Sequence, residues 1–558
     1  MSAEDAGRHG GFGPEDGPVW QRIRRHAVPG WMIERATGHR LAGDWRAACA
    51  AAAVDVRFEL PEVAARHGAD VAAAVAEDLR HLAPDLLRWH LPRLLGGRTT
   101  LATGLRILLA SYGGPGGPVL SVTTPATIEG PQRLRLHCAP LVPEKRNRYA
   151  GLALVREDWT VMRPFWDARH ASELGERFAV PDGLAERIAR LRAEGRTVEA
   201  YAAAGVECDL TVPATRPYQR PTDPEAVFAR LPADLTRLVP EVARLAAAGA
   251  GGPYRIESGW WSPVVLERTV TGGLRARTVE RRVASTVPVL ARYAWQRLPD
   301  LELVRTGRIS PHALHPLVSA ALFPGAGPAV GPPGPDAGGP VRVRCRGEWH
   351  EVRSRGGALD VPHTPEEQRR ERALRAFGGA VSGCFAAQRS WTTGEGRLPR
   401  ALGEQRRELF LRAQHGDTPG VVALLDAGMD PRVRDARGRG LLHSLHLLDH
   451  DALLPRLLAA GLDLEARDKE GRTPLLSAVH WGGSAELVGA LLAAGSRIDV
   501  VDGTDLSLSQ EIRRYKRADL AFLRDRVDEE FPELGSRGFE RHLEYRATHE
   551  HDEDEDDA

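Results

Sequence analysis

Cysteine is scarce. The 558-residue chain has five, Cys49, Cys138, Cys208, Cys345 and Cys384, odd in number and far apart. That excludes a disulfide framework and makes a reducing cytoplasm the expected compartment. Lysine is scarcer, with Lys145, Lys469 and Lys516 alone, so almost all positive charge is arginine. Charge of one sign is missing, since 75 basic side chains balance 75 acidic ones. No global field then favours nucleic acid or an anionic membrane. Long apolar runs are absent too: 47–56 and 63–75 are short or broken by charge, well below the roughly 20 residues that span a bilayer. The stretch MSAEDAGRHGGFGPEDGP has no basic region followed by an apolar one, so no secretory signal is expected.

Signatures of chemistry are equally sparse. Gly113-Gly-Pro-Gly-Gly117 lacks the Gly-Lys-Ser/Thr ending of a phosphate loop and reads as a hairpin connection. His137 and Cys138 are sequence neighbours on a strand-like run, so they face opposite ways and make no nucleophile–base pair. His312 and His315 are one helical turn apart with no third ligand nearby. Cys345, His350, His363 and Cys384 could supply four zinc ligands, but the spacing matches no compact zinc module. On a continuous strand Cys345 and His350 would also point to opposite faces. The arginine-rich stretches 21–26 and 368–375 read as solvated helix faces, and no aromatic–basic alternation marks a nucleic-acid module. Trp159, Trp166, Trp260 and Trp261 read as core or interface residues. No catalytic residue, cofactor or metal is expected.

A repeat is what the chain does have. The length implies at least two folded units. Near the C-terminal end Leu409, Leu442 and Leu475 recur every 33 residues, and the endings Leu-Leu-Asp-Ala-Gly428, Leu-Leu-Ala-Ala-Gly461 and Leu-Leu-Ala-Ala-Gly495 follow the same period with one insertion near Gly482-Gly483. Asp468, Gly471, Thr473-Pro474-Leu475, Ala478, Gly482, Leu491-Leu492 and Gly495 give the fullest copy. The preceding copy has Gly440-Leu441 in place of Thr-Pro but keeps His443. Thr473 can cap a helix whose first turn accepts Pro474, and Gly495 suits a left-handed helix end. These residues resemble the ankyrin repeat, a β-turn followed by two antiparallel helices. The resemblance covers 404–530, with the copy before 434 as an N-terminal cap and the text after Asp502 as a polar C-terminal cap.

The expected organisation is multidomain, an alpha+beta N-terminal region followed by an all-alpha ankyrin-repeat solenoid. Residues 1–19 are expected to be disordered. In 20–323, helices are predicted over 43–53, 69–82, 159–178, 183–192, 235–248, 284–298 and 311–323. Strands are predicted over 54–60, 105–111, 118–123 and 132–138, with a hairpin over 264–281 turning at 271–273. The stretch 213–224 is a candidate subdomain boundary. A mobile Pro/Gly linker (324–340), a small sheet plus helix (341–400) and an acidic tail (531–558) complete the reading.

The resemblance implies an adaptor or scaffold that binds a protein partner, with β-turn tips as contacts. The tips offer Arg432, Arg434, Asp435 and Arg437, then Glu465, Arg467, Asp468, Lys469 and Glu470, then Arg497, Asp499, Asp502 and Asp505, Asp435 and Asp468 being candidates for structural turn residues instead. Reversing the charge of Arg434 and Arg467 is expected to weaken binding and leave folding intact. The rival reading is an enzyme of unknown chemistry in 20–323, with the repeats recruiting substrate.

Overall fold

The Ala-rich segment Trp45–Ala51 favours helix, and Asp44 caps it by accepting the Ala47 N–H at 2.9 Å. The helix ends at Ala53, which adopts a left-handed φ of 54°. Branched side chains then open the first strand. This is a computed structural model that describes residues 16–96, 98–114, 116–141, 155–213, 223–256, 263–280, 284–377 and 382–534. Its content is mixed α and β. The chain divides into two compact units, Met1–Ile128 with Arg133–Pro333, and Glu129–Gln132 with Gly334–Ala558.

The first unit holds β1 (Val54–Val56), β2 (Leu105–Ser111), β3 (Pro118–Thr123), β4 (Leu134–Pro140) and β5 (Val155–Asp158) in the order β1-β4-β3-β2-β5. The outer pairings are parallel and the inner ones antiparallel. Its second sheet holds β6 (Val206–Asp209), β7 (Tyr254–Ile256), β8 (Val264–Arg268) and β9 (Leu274–Thr278) in the order β6-β9-β8-β7. This is the same plan again: β6 lies parallel to β9, and β9, β8 and β7 are antiparallel. Even the parallel edge of β2 with β5 has a counterpart, the bridge between Arg255 and Val289. The local sequence follows suit. Helix Thr197–Ala203 leads into Gly205, left-handed at φ 77°, and then β6. The Gly205 carbonyl accepts the Leu274 N–H at 3.0 Å, as the Ala53 carbonyl accepts that of Leu134 at 3.0 Å. One apolar core, from Val19 to Val318, runs through both sheets.

Several expectations for this unit change. The stretch 159–178 is not one helix but 3-10 turns at Arg163–Phe165 and Ala171–Glu173 with a short helix Leu174–Arg177. Buried Asp78 takes ion pairs from Arg163 and Arg169, and the Ala83 N–H bonds the Trp166 carbonyl, so the chain turns back on itself. The stretch 284–298 holds only the 3-10 turn Arg292–Ala294; Pro288 removes a helical donor, and Arg255 exchanges backbone bonds with Pro288 and Leu290. After Val56 the expected strand stops, because Pro61 sits in the first turn of helix Leu60–His67. Pro316 likewise splits 311–323 into a 3-10 turn at Pro311–Ala313 and helix Pro316–Leu322. Residues 327–340 carry no helix or strand, yet Val330 and Gly331 both donate to the His312 carbonyl. Helix Gly17–His26 begins inside the stretch expected to be disordered. Residues 1–15, 214–222, Trp260, Trp261 and the acidic tail lie outside the described residues.

The second unit opens with an antiparallel sheet, β10 (Val341–Cys345), β11 (Glu348–Arg355) and β12 (Ala358–Asp360), then helices Pro365–Ala376 and Gly383–Thr393. Four helix pairs follow: Arg400–Gln414 with Thr418–Asp426, a 3-10 segment Leu442–Leu447 with His450–Ala459, Pro474–His480 with Ala485–Ala493, and Leu508–Arg514 with Ala521–Glu530. Leu409, Leu442, Leu475 and Leu508, spaced by 33 residues, are all buried in one core. The last pair is the segment read from sequence as a polar cap; Ser507 and Gln510 form its capping box. The second pair starts as a 3-10 segment with no side-chain cap, whereas Thr473 caps its own helix through the Leu476 N–H. The absent Thr-Pro accounts for that difference.

Candidate functional site

Each helix pair from the second onward is preceded by a turn built on an aspartate. The N–H of Asp435, Asp468 and Asp502 bonds the carbonyl of the residue four further on, and each Asp side chain accepts that residue's N–H in return. Consecutive turns are stitched together: Lys469 N–H to the Arg437 carbonyl at 2.9 Å, and Gly503 N–H to the Glu470 carbonyl at 2.7 Å. Burial raises the Asp468 carboxyl above its ordinary pKa. These aspartates therefore shape the turns.

The turn-tip residues expected to meet a partner separate into two groups. Arg434 donates through Nη1 to the carbonyls of Gly438 (3.1 Å) and Arg467 (2.9 Å). Arg467 repeats the arrangement on Gly471 (3.1 Å) and Val501 (3.0 Å). Each guanidinium ties its own turn to the next, so the expectation that reversing these charges spares folding is replaced by a structural role. Arg432 bonds Asp430 and the Gly357 carbonyl, Arg437 pairs with Glu129 at 2.7 Å within this unit, and Glu465 accepts the Arg497 N–H at 2.8 Å. Arg497 and Asp499 pair with each other. One Glu470 carboxylate oxygen is buried without a partner. Lys469 and Asp505 are exposed at the tips.

Between the third and fourth pairs lies a group that the sequence reading passed over. The Arg472 guanidinium sits 5.7 Å from the Trp481 ring, His480 meets Trp481 edge-on at 4.5 Å and Tyr515 at 5.2 Å, and Arg514 lies 5.7 Å from Tyr515. His480 Nδ1 is 3.0 Å from Glu511 Oε2, which orients the ring. Tyr515 is 39% exposed and Trp481 half-buried. Trp481 and Tyr515 are two repeats' helix-end residues 34 apart, a spacing signal present in the sequence.

The other candidates resolve individually. His137 and Cys138 do face opposite ways on β4, His137 toward Thr123 and Cys138 into the core. His312 bonds the Pro328 carbonyl while buried His315 bonds Asp85 at 2.9 Å, so they share no ligand. Trp159 and Trp166 are core residues. In the first unit a 70 Å³ cavity is lined by Trp20, Arg24, His90, Arg93, Phe165 and Tyr293 among others. His90 stacks on Phe165 at 4.0 Å, and burial holds its pKa well below the ordinary value. Its charged lining is arginine, with no carboxylate to pair with the histidine. Cys345, His350, His363 and Cys384, by contrast, come together: one ligand atom from each lies within 4.8 Å of all the others. The strand-parity argument fails because Arg346 and Gly347, at φ 52° and 93°, form a two-residue hairpin turn. Cys345 pairs with Glu348 across that turn, so His350, two residues further on, returns to the face of Cys345.

No family model matches the chain. A stretch of 86 residues is 37% identical to NF-kappa-B inhibitor delta of Mus musculus, 13% of this chain and 26% of that protein. A stretch of 67 residues is 34% identical to an ankyrin repeat-containing protein of Schizosaccharomyces pombe, 12% of this chain and 32% of that one. The chain thus spans about a quarter to a third of these relatives' length, and it carries sequence similar to ankyrin-repeat proteins. No helix among the described residues is long and apolar enough to cross a membrane.

Proposed function

We propose that the helix pairs between residues 400 and 530 are an ankyrin array and that the protein is a cytoplasmic adaptor, binding a protein partner through that array. The 33-residue recurrence of buried Leu409, Leu442, Leu475 and Leu508 supports the array. The five free cysteines are in keeping with a reducing compartment. The observation that carries the binding reading is the row Arg472, Trp481, His480, Tyr515 and Arg514. Partner surfaces concentrate their binding energy in Trp, Tyr and Arg, and here such residues stand together on the surface of an otherwise polar stack. Lys469, Arg497, Asp499 and Asp505 at the turn tips serve as a polar rim, which sets specificity and association rate more than affinity.

The test is affinity capture from lysate by the intact chain, by the Trp481→Ala/Tyr515→Ala double variant and by a chain lacking 401–558. A partner retained by the intact chain, absent with the deletion and reduced about tenfold or more with the double variant supports the reading. Equal capture by all three refutes it and returns attention to residues 20–323 and the enzyme alternative.

A further inference from the structure

We propose that Cys345, His350, His363 and Cys384 bind one zinc ion in a closed tetrahedral site that fastens the small sheet to the base of the helix pairs. This stands independently of the partner reading. The ligands come from three separate places. Cys345 ends β10, and His350 lies on β11 across the hairpin. His363 follows β12, and Cys384 sits in the first turn of helix Gly383–Thr393.

The geometry is that of a metal shell rather than of a hydrogen-bonded cluster. His350 Nδ1 and His363 Nε2 are 3.3 Å apart, Cys384 Sγ is 3.5 Å from His350 Nδ1, and Cys345 Sγ is 3.6 Å from His363 Nε2. A tetrahedral ion with Zn–N of about 2.0–2.1 Å and Zn–S of about 2.3 Å separates two nitrogens by about 3.3–3.4 Å and a nitrogen from a sulfur by about 3.5–3.6 Å. Two thiols and two imidazoles form a donor set suited to zinc.

Three further observations point the same way. The ring nitrogen of each histidine that faces away from the cluster has a carboxylate nearby: Glu348 Oε2 is 3.9 Å from His350 Nε2, and Glu367 Oε2 is 3.6 Å from His363 Nδ1. Outer carboxylates of this kind fix the tautomer that presents the bare nitrogen to a metal. Phe385 stacks on His363 at 4.6 Å and holds its ring. Finally, Gly383 adopts φ 58°, and a Cβ there would lie 2.5 Å from Cys345 Sγ, so only glycine lets the helix N-terminus approach the thiols. That N-terminus favours the thiolate form of Cys384.

All four positions are filled by protein, so the site is structural, with no open position for a substrate. Binding breaks two S–H bonds, forms two Zn–S and two Zn–N bonds, and releases two protons to solvent. What it fastens is clear from the chain. A three-stranded sheet of this size is marginal alone. The Cys384 helix runs on to Trp391, whose carbonyl accepts the Arg434 N–H of the first turn at 2.9 Å. The ion thus links the sheet to the first turn of the repeat series.

The experiment uses the intact chain purified under reducing conditions without chelator. Elemental analysis should find about one zinc per chain, falling about tenfold or more in Cys345→Ser/Cys384→Ser. A chelator should lower the thermal midpoint of the wild type and leave that of the double variant unchanged. Because the double variant could simply misfold, His363→Cys is the second test. It should still take up metal and, loaded with cobalt, show the visible bands of a tetrahedral site with a stronger sulfur-to-cobalt transition than wild type. The proposal is overturned if the reduced wild type holds no zinc as purified and takes up none from zinc sulfate. It is also overturned if the double variant keeps its zinc, or if Cys345 and Cys384 are found as a disulfide in a protein that takes up no zinc after reduction.

Discussion

Leu475→Ala tests the repeat architecture most directly. Leu475 is fully buried in helix Pro474–His480, which packs against both the 442–447 segment and helix Leu508–Arg514. The change deletes three carbons, worth about 2.4 kcal/mol at about 0.8 kcal/mol per methylene. The flanking helices are themselves fixed by Leu442 and Leu508, buried to 3% and 0% exposure, so the gap cannot close fully. A residual cavity adds about 1–2 kcal/mol, for a total near 4 kcal/mol. For a unit of roughly 200 residues that is a fall of about 8–16 °C in Tm. Calorimetry on the intact chain should show it in the transition that belongs to the second unit, with Phe522→Ala, 51% exposed, as a control costing about 1 kcal/mol or less. Hydrogen exchange should quicken in the neighbouring pairs as well, since a stack couples nearest neighbours. A Leu475→Ala protein within about 1 kcal/mol of wild type, or a Phe522→Ala loss of equal size, would refute the assignment of core and surface.

Replacing Arg434 and Arg467 together by alanine should lower stability by about 2 kcal/mol, the worth of charged hydrogen bonds after discounting for exposure, and urea titration reads the shift; an unchanged midpoint would show that the stitching between turns is decorative. Burial pushes His443 and His446 down to about 4, so both stay neutral in the fold while the unfolded chain takes up protons from about 6.5 downward. Stability is therefore full above pH 6.5 and is lost as pH falls toward 4, by a few kcal/mol at most. Urea midpoints between pH 7.5 and 4.5 should fall, and less steeply in His446→Asn; a flat profile would contradict the assigned burial. Glu241, 1% exposed at its side chain, holds Arg177, Arg237 and Arg244 at 2.7, 3.0 and 2.9 Å. Glu241→Ala leaves buried Arg237 without its counter-charge and should cost about 3–5 kcal/mol in the melting of the first unit; a loss under 1 kcal/mol would mean that solvent already screens the cluster.

Much of the second unit was legible from the sequence because its signals are local. A 33-residue period, a capping Thr473 and a helix-ending Gly495 each act over a few residues, and every repeat restates them. The fourth helix pair was harder to see, since Ser507 and Leu508 replace Thr-Pro-Leu and only the buried position of Leu508 keeps the period. In the first unit, strands β2 and β3 matched their predicted bounds, whereas 159–178 and 284–298 lost their predicted helices to Asp78, Pro288 and backbone pairing with Arg255. Those partners lie tens of residues away and leave no periodic trace.

What the sequence determined by itself, then, is the residue-level chemistry: free thiols, balanced charge, turn aspartates, and the repeat series with its leucines. Tertiary structure decided which of these groups meet. The doubled sheet plan emerges only when β1 finds β4 and β6 finds β9, since parallel neighbours are distant in sequence. Arg434 and Arg467 turned from partner contacts into stitches only when the next turn's carbonyls came within reach. Cys345 and His350 share a face because a two-residue turn reverses the strand between them, and His363 and Cys384 join them through a loop and a helix start. Spacing along the chain measures separation within one element, and a site assembled from a hairpin, a loop and a helix start is set by distances through space.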